Sequence, residues 1–272
     1  MILIGESLMK IEEKSWNEFW AAYWRIDCRH QIAGIFEWDR KLVDYIETVC
    51  DLQPGMAVLD LGCGGGDQAI HFARKGYAVT GIDIAPPLIK YAARQFAMEN
   101  LPGEFIAGDM RAIEYGEQFD AVLILSGTFG FFSDEENLAL LRAIHRALKP
   151  GGRVFINYLE PQRGNEKPSR TWQEIPEGWQ LTETWHDAET ATYRSRNFII
   201  RKDGVMIIPK TEPGYHADEI IRCYTVPEMK TLFRQSGLHY LAGYTTAELS
   251  LPPKPLSPGT NRNVAVGKRD GG

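Results

Sequence analysis

The chain has 272 residues, of which 44% are apolar and 24% charged, with a net charge of −6; this is the balance of a globular protein, not of a disordered or fibrous one. Net acidity argues against an electrostatic grip on a nucleic-acid backbone, which needs a basic face, and no apolar run approaches the ~20 residues of a membrane-spanning helix. The start, MILIGESLMKIEEK, has no basic leader and no small-residue cleavage site, so a cytoplasmic protein is the expectation.

Residues 1–55 are rich in aromatics, with Trp16, Phe19, Trp20, Tyr23 and Trp24 at helical spacing, and read as an N-terminal helical cap. Residues 56–158 then alternate short β-rich runs with longer helical ones, the grammar of repeated βαβ units around a parallel sheet. Strands are expected at 56–62, 77–83, 103–109, 119–125 and 153–158. The fourth, FDAVLIL, is nearly all apolar, which suits burial on both faces. Helices are expected at 67–76, at 86–100 behind an opening Pro, and over DEENLALLRAIHRALK with Ser133 or Asp134 as its cap.

After Tyr158 the pattern changes. Residues 159–224 carry extended segments and turn signals, including a KDG hairpin turn at 202–204, and read as a small antiparallel sheet inserted after the fifth strand. An insertion leaving the carboxyl end of that strand lies over the edge where open α/β sheets bind ligands, and is expected to act as a substrate lid. Residues 225–272 supply a last helix, opened by a Thr225 and Glu228 capping box, and two more strands. The predicted fold is a doubly wound α/β protein with a seven-stranded, mostly parallel sheet, its last strand antiparallel. Cys28, Cys50, Cys63 and Cys223 are too far apart for a CxxC zinc pair or a dense disulfide framework, so they read as free thiols and no metal is expected.

The stretch VLDLGCGGGDQA at 58–69 carries the chemistry. A dinucleotide loop asks for G-x-G-x-x-G, but Asp67 stands at the third glycine position and would set a negative charge against a pyrophosphate. The phosphate-binding P-loop also fails, because no Lys-Ser or Lys-Thr follows. Asp60, Asp67, Asp83 and Asp109 all fall at or near strand ends on this edge, which suits a cationic ligand without phosphates, and Asp83 is placed to accept from a ribose diol.

With LDLGCGGG (59–66), VTGIDIAPPLIKYA (79–92), FIAGDMRAI (105–113), FDAVLILSGTFGFF (119–132) and LKPGGRVFIN (148–157) in order, the chain resembles the class I S-adenosylmethionine-dependent methyltransferases, in their small-molecule branch. The resemblance implies S-adenosylmethionine as cofactor. It implies that Asp60, Gly62, Cys63 and Gly64 hold the methionine portion, Asp83 the ribose hydroxyls and Ile84 the adenine. Asp109 would accept from the exocyclic amine, the Met110 amide would meet a ring nitrogen, and the Leu125 carbonyl would take the ammonium. Tyr23 is expected to close over the cofactor. The plainer readings are that Asp109 caps a turn, that Asp67 is a first-turn helix acid, and that Gly65 and Gly66 are turn residues.

Methyl transfer from such a donor is a displacement in which positioning matters most and a base only where the nucleophile must lose a proton. Candidate bases are His186 and His216 on the insertion and Glu160 and Tyr158 at the end of the fifth strand. Phe129, Phe131, Trp20, Tyr23 and Trp24 are candidates for an aromatic cage. LSGTFGFF lacks the Asn/Asp-Pro-Pro-aromatic motif of amino-directed DNA and glutamine methyltransferases, and the chain has no Pro-Cys, so the expected partner is a small-molecule acceptor of N, O or C type. The alternatives are an RNA or protein methyltransferase, with Arg194, Arg196, Arg201 and Lys202 as the basic residues, or a cofactor-binding module without catalysis.

Overall fold

In a computed structural model of the chain, the residues described are 3–4, 7–8, 10–23, 35–161, 168–211, 218–246, 249–256 and 263–271. The chain begins outside the central sheet. Strands β1 (Leu3–Ile4) and β2 (Ser7–Leu8) pair antiparallel, and β3 (Lys10–Lys14) leads into helix α1 (Trp16–Tyr23), followed by α2 (Ile35–Cys50). The expectation of a purely helical cap over residues 1–55 is corrected here. KIEEK is made of good helix formers, and it is extended because it joins the edge of the inserted sheet, with Lys10 opposite Val205 and Lys14 opposite Pro209. Nor is α2 a cap, since its Leu42, Val43, Ile46 and Cys50 pack with Val58, Phe72, Val79 and Phe155 in the core of the central sheet.

That sheet is built from β4 (Ala57–Leu61), β5 (Ala78–Asp83), β6 (Glu104–Ala107), β7 (Phe119–Ile124) and β8 (Leu148–Tyr158), with helices α3 (Asp67–Arg74), α4 (Pro86–Met98) and α5 (Asp134–Ala147) between them. Parallel strands covered on both faces have no polar side to show, and Val58, Leu59, Leu61, Val122, Leu123 and Ile124 are fully buried. Ser133 caps α5 in a capping box with Glu136. The insertion supplies β9 (Ser169–Ile175), β10 (Gly178–Asp187), β11 (Thr192–Arg201), β12 (Val205–Pro209) and β13 (Glu219–Arg222). Helix α6 (Val226–Ser236) follows, with its Thr225 and Glu228 capping box formed, and then β14 (Leu238–Thr245) and β15 (Asn263–Arg269).

The seven strands of the central sheet lie in the order β14-β15-β8-β7-β4-β5-β6. All are parallel except β15, which runs antiparallel to both its neighbours. This is the doubly wound α/β architecture read from the sequence. Chain order reverses at β4, with β5 on one side and β7 on the other, and such a switch point opens a crevice at the carboxyl ends of the strands.

The inserted sheet runs β3-β12-β11-β10-β9, with β13 pairing the first half of β11. The edge strand β9 has no counterpart in the sequence reading, because exposure of all its residues but Ile175 removes the alternation that announces a strand. Helix α1 packs Phe19 and Trp20 against Ile175, Ile199 and Ile207 of this sheet. Among the described residues no helix is long and apolar enough to cross a membrane.

Candidate active site

The glycine loop after β4 turns because Gly62, Gly64 and Gly66 take positive φ values of 77°, 55° and 79°, which side chains disfavour. At Gly62 a Cβ would also stand 2.9 Å from the Thr128 methyl. The amides of Gly62 and Cys63 donate to the Ile82 carbonyl at 2.8 and 3.1 Å. The Gly64 amide donates to Asp83 Oδ2 at 2.9 Å, while Asp83 Oδ1 accepts from the Ala85 amide at 2.9 Å. The loop amides expected to face a ligand are thus largely committed within the chain. They fix the loop against β5 and aim the Asp83 carboxylate.

Asp60 is 2% exposed, lines the cavity above this loop, and its Oδ1 has no hydrogen-bond partner. Burial, reinforced by the negative charges of Asp83 and Asp67, pushes its carboxyl up to about 7. An orphaned buried oxygen costs roughly 1–3 kcal/mol, and a cation in the cavity would relieve both the missing partner and the charge. Burial also raises Asp83, partly offset by the Ala85 and Gly64 amides. Cys63 lines the same cavity, but burial and the neighbouring Asp60 push its thiol far up, so it is no nucleophile.

The cavity measures about 610 Å³ and takes in the carboxyl ends of β4, β5, β6 and β7, a size that suits a cofactor-sized ligand. Ile84, Asp109, Met110 and Leu125 all line it. Asp109 caps the 3-10 turn at Met110–Ala112 through the Arg111 amide. It also meets the Arg111 guanidinium at 2.6 Å. Burial works against its charge, yet the Arg111 hydrogen bonds hold the carboxyl below its ordinary value. The Leu125 carbonyl accepts both the Thr128 hydroxyl at 2.7 Å and the Thr128 amide at 3.1 Å. These two bonds fold the turn after β7 back onto the end of the strand.

Tyr23, expected to close over the cofactor, sits elsewhere in this structure. It does not line the cavity; its hydroxyl bonds Thr182 Oγ1 and its carbonyl accepts from Gln180, which pins α1 to β10. The same helix instead presents Trp16, Asn17 and Trp20 to the cavity. Of the aromatic cage, Trp20 and Phe131 line the cavity, whereas Phe129 is buried against Tyr224 and Trp24 lies outside the described residues.

The insertion forms the facing wall with Thr192, Asp218, Glu219, Ile220 and Arg222. It is fastened there by backbone: the Arg222 amide donates to the Gly130 carbonyl at 2.7 Å and the Tyr224 amide to Leu159 at 2.8 Å. The expected bases are elsewhere. His186 rests on the Tyr193 ring, and burial lowers its pKa. Glu160 accepts from Asn263 at 2.7 Å, and Tyr158 is fully buried in the sheet; none of the three lines the cavity, and His216 lies outside the described residues. Glu219, absent from the sequence reading, does line it. Its carboxyl is pushed up to about 7 by burial, with the Ser195 hydroxyl opposing. An acid sharing a strand face with the buried Ile221 was the available signal.

A family model described as a methyltransferase domain matches residues 58–152. Cypemycin N-terminal methyltransferase from Streptomyces sp is 35% identical over 108 residues, covering 39% of this chain and 43% of that protein. Ubiquinone biosynthesis O-methyltransferase from Xanthomonas oryzae pv. oryzae is 35% identical over 119 residues, 43% of this chain and 48% of that protein. The chain thus spans less than half the length of these curated relatives. Among solved structures, the CcbJ methyltransferase from Streptomyces caelestis superposes with a TM-score of 0.69 at 19% identity, covering 85% of this chain and 89% of that one. At that identity the likeness is one of fold.

Proposed function

We propose, on the premise of a class I methyltransferase fold with a methyltransferase domain at residues 58–152, that the protein methylates a small molecule at the expense of S-adenosylmethionine. Asp60 carries this reading, as a buried carboxylate that lines the cavity and has an oxygen without a hydrogen-bond partner. The residues fit the cofactor better than a phosphate-bearing one. Both arginines lining the cavity are ion-paired, Arg111 with Asp109 and Glu136 and Arg222 with Asp134 and Glu228, which leaves acids to dominate the lining.

When bound, the cofactor supplies an electrophilic methyl group on a sulfonium. Asp60 then holds the methionine ammonium, the role expected of the Leu125 carbonyl. Asp83, whose oxygens each keep an acceptor position, takes the ribose hydroxyls. Ile84, 37% exposed at the cavity, offers an apolar face to the adenine. Met110 opens the 3-10 turn, so its amide has no partner within the turn and suits a ring nitrogen. Asp109 serves the exocyclic amine with whatever acceptor capacity Arg111 leaves.

In this reading residues 159–224 are a substrate lid, and residues 225–272 complete the core. Its work is to exclude water and hold the acceptor in line. A small acceptor is favoured over RNA because three of the four basic residues named for that alternative are ion-paired: Arg194 with Asp187, Arg196 with Asp218 and Arg201 with Asp203. Calorimetry with S-adenosylhomocysteine tests the cofactor. The expected result is saturable binding at one site per chain that S-adenosylmethionine competes away and NAD does not; absence of binding overturns the reading.

A further inference from the structure

Glu219 differs from the acids around it. Asp218, its neighbour in the cavity wall, is held by Arg196 at 2.8 and 2.9 Å, and Asp109 and Asp134 also have arginine partners. Glu219 has no ion pair among the described residues. What holds it is a polar network behind the wall: Ser195, its register partner on β11, donates its hydroxyl to Glu219 Oε2 at 3.2 Å, and Asn197 in turn donates to the Ser195 oxygen. Ser195 and Asn197 are each 3% exposed. A buried serine and asparagine committed to one carboxylate fix its direction, and that carboxylate lines the cavity opposite the strand ends that carry Asp60.

On the floor of the cavity Asp60 has an oxygen with no partner and Asp83 is committed to two backbone amides; on the lid Glu219 has no ion pair among the described residues. With the methyl donor's ammonium on Asp60, Glu219 remains as a second place for positive charge. The cavity lining also includes the apolar and aromatic side chains of Trp16, Ile220 and Phe131.

Resting on the methyl-transfer reading, we infer that the acceptor is a primary or secondary amine carried on a largely apolar molecule, and that Glu219 binds its ammonium form and removes the proton. A carboxylic acid acceptor would be repelled by this wall, and a neutral hydroxyl would leave Glu219 without a counter-charge in a half-enclosed site. Burial alone raises the Glu219 carboxyl to about 7, a rise that a bound ammonium partly offsets, and this keeps it more basic than an exposed glutamate when the proton is transferred. In the step, the ammonium gives one N–H proton to Glu219. The freed nitrogen lone pair forms the N–C bond to the methyl group as the S–C bond of the sulfonium breaks and its electron pair stays on sulfur. The product leaves as an N-methylammonium, and Glu219 releases its proton to solvent.

The test is binding, read without turnover. Ethylamine, benzylamine and tryptamine, each beside the alcohol of the same shape, are titrated into the S-adenosylhomocysteine complex of the wild type and of Glu219→Gln, a variant that keeps the size and the Ser195 contact. The expected result is a preference of about tenfold or more for at least one amine over its alcohol, lost in Glu219→Gln while S-adenosylhomocysteine affinity is unchanged. The carboxyl resonance of Glu219, followed by NMR in 13C-glutamate protein, should titrate lower with that amine and not with the alcohol. No amine preference in the wild type, or a preference that survives in Glu219→Gln, overturns the inference and leaves the cofactor reading standing. Failure of S-adenosylhomocysteine to bind the wild type overturns both.

Discussion

The Asp83 carboxylate accepts the Gly64 amide at 2.9 Å, so the end of β5 and the glycine loop of β4 are held by one side chain that also faces the cavity. Asp83→Asn keeps the shape and removes the charge. Loss of a charge-assisted hydrogen bond costs about 1.5–3 kcal/mol, so S-adenosylhomocysteine affinity should fall by roughly ten- to hundredfold in calorimetry, and the melting temperature should also drop, because the new NH2 group faces one of the two backbone amides that Asp83 accepts. Affinity within twofold of the wild type would remove Asp83 from the ribose.

Asp60 makes binding and stability depend on pH. Its carboxyl lies at about 7 in the folded protein against about 3.9 unfolded, so between those values the native state holds more protons and stability falls as pH rises. Asp60→Asn should therefore be more stable than the wild type at pH 8, by up to about 4 kcal/mol for a rise of roughly three pKa units, and bind S-adenosylhomocysteine far more weakly. Cation binding favours the ionised acid, so wild-type binding at pH 7 should release protons. Titrations in buffers of different ionisation enthalpy measure that release, and proton uptake would contradict it.

Gly130 lies where the insertion meets the sheet, and a Cβ there would stand 2.4 Å from the Arg222 carbonyl oxygen, at a φ of 114°. Gly130→Ala forces β13 away from the core. Methyl-transfer kcat should drop by at least about tenfold, a barrier change of roughly 1.4 kcal/mol. S-adenosylhomocysteine affinity should stay near the wild-type value, since the glycine loop is untouched. A parallel loss of both would make the loop after β7 part of the cofactor cradle.

Tyr23→Phe distinguishes an anchor from a ligand contact. Removing the hydroxyl that bonds Thr182 should lower stability by about 1 kcal/mol in denaturant unfolding, and leave cofactor affinity as it was. Weaker S-adenosylhomocysteine binding than in the wild type would return Tyr23 to the site.

The central strands were readable because burial on both faces writes itself as an unbroken apolar run, as in FDAVLI of β7. The acids at the strand ends were readable from position: a chain that must leave a sheet at Asp60 and Asp83 leaves those side chains at the crevice. What stayed hidden depends on pairing between distant segments. KIEEK becomes a strand because β12 lies beside it, and local propensity says nothing of that. Leu125 was read from motif position, and no pattern shows that Thr128 folds back onto its carbonyl. Glu219 looks like any strand acid until Ser195 and Asn197 are seen behind it.

The pairing of Lys10–Lys14 with Val205–Pro209 also sets an order of events during synthesis. The strand made first finds its partner only after almost the whole intervening chain has emerged, a closure with a high entropic cost. Until then Phe19 and Trp20, which end up packed on Ile175, Ile199 and Ile207, have no sheet to cover them. Phe19 and Trp20 thus stay exposed until the strands that carry Ile175, Ile199 and Ile207 have been made, and that interval is when chaperone capture or misassociation has its opening.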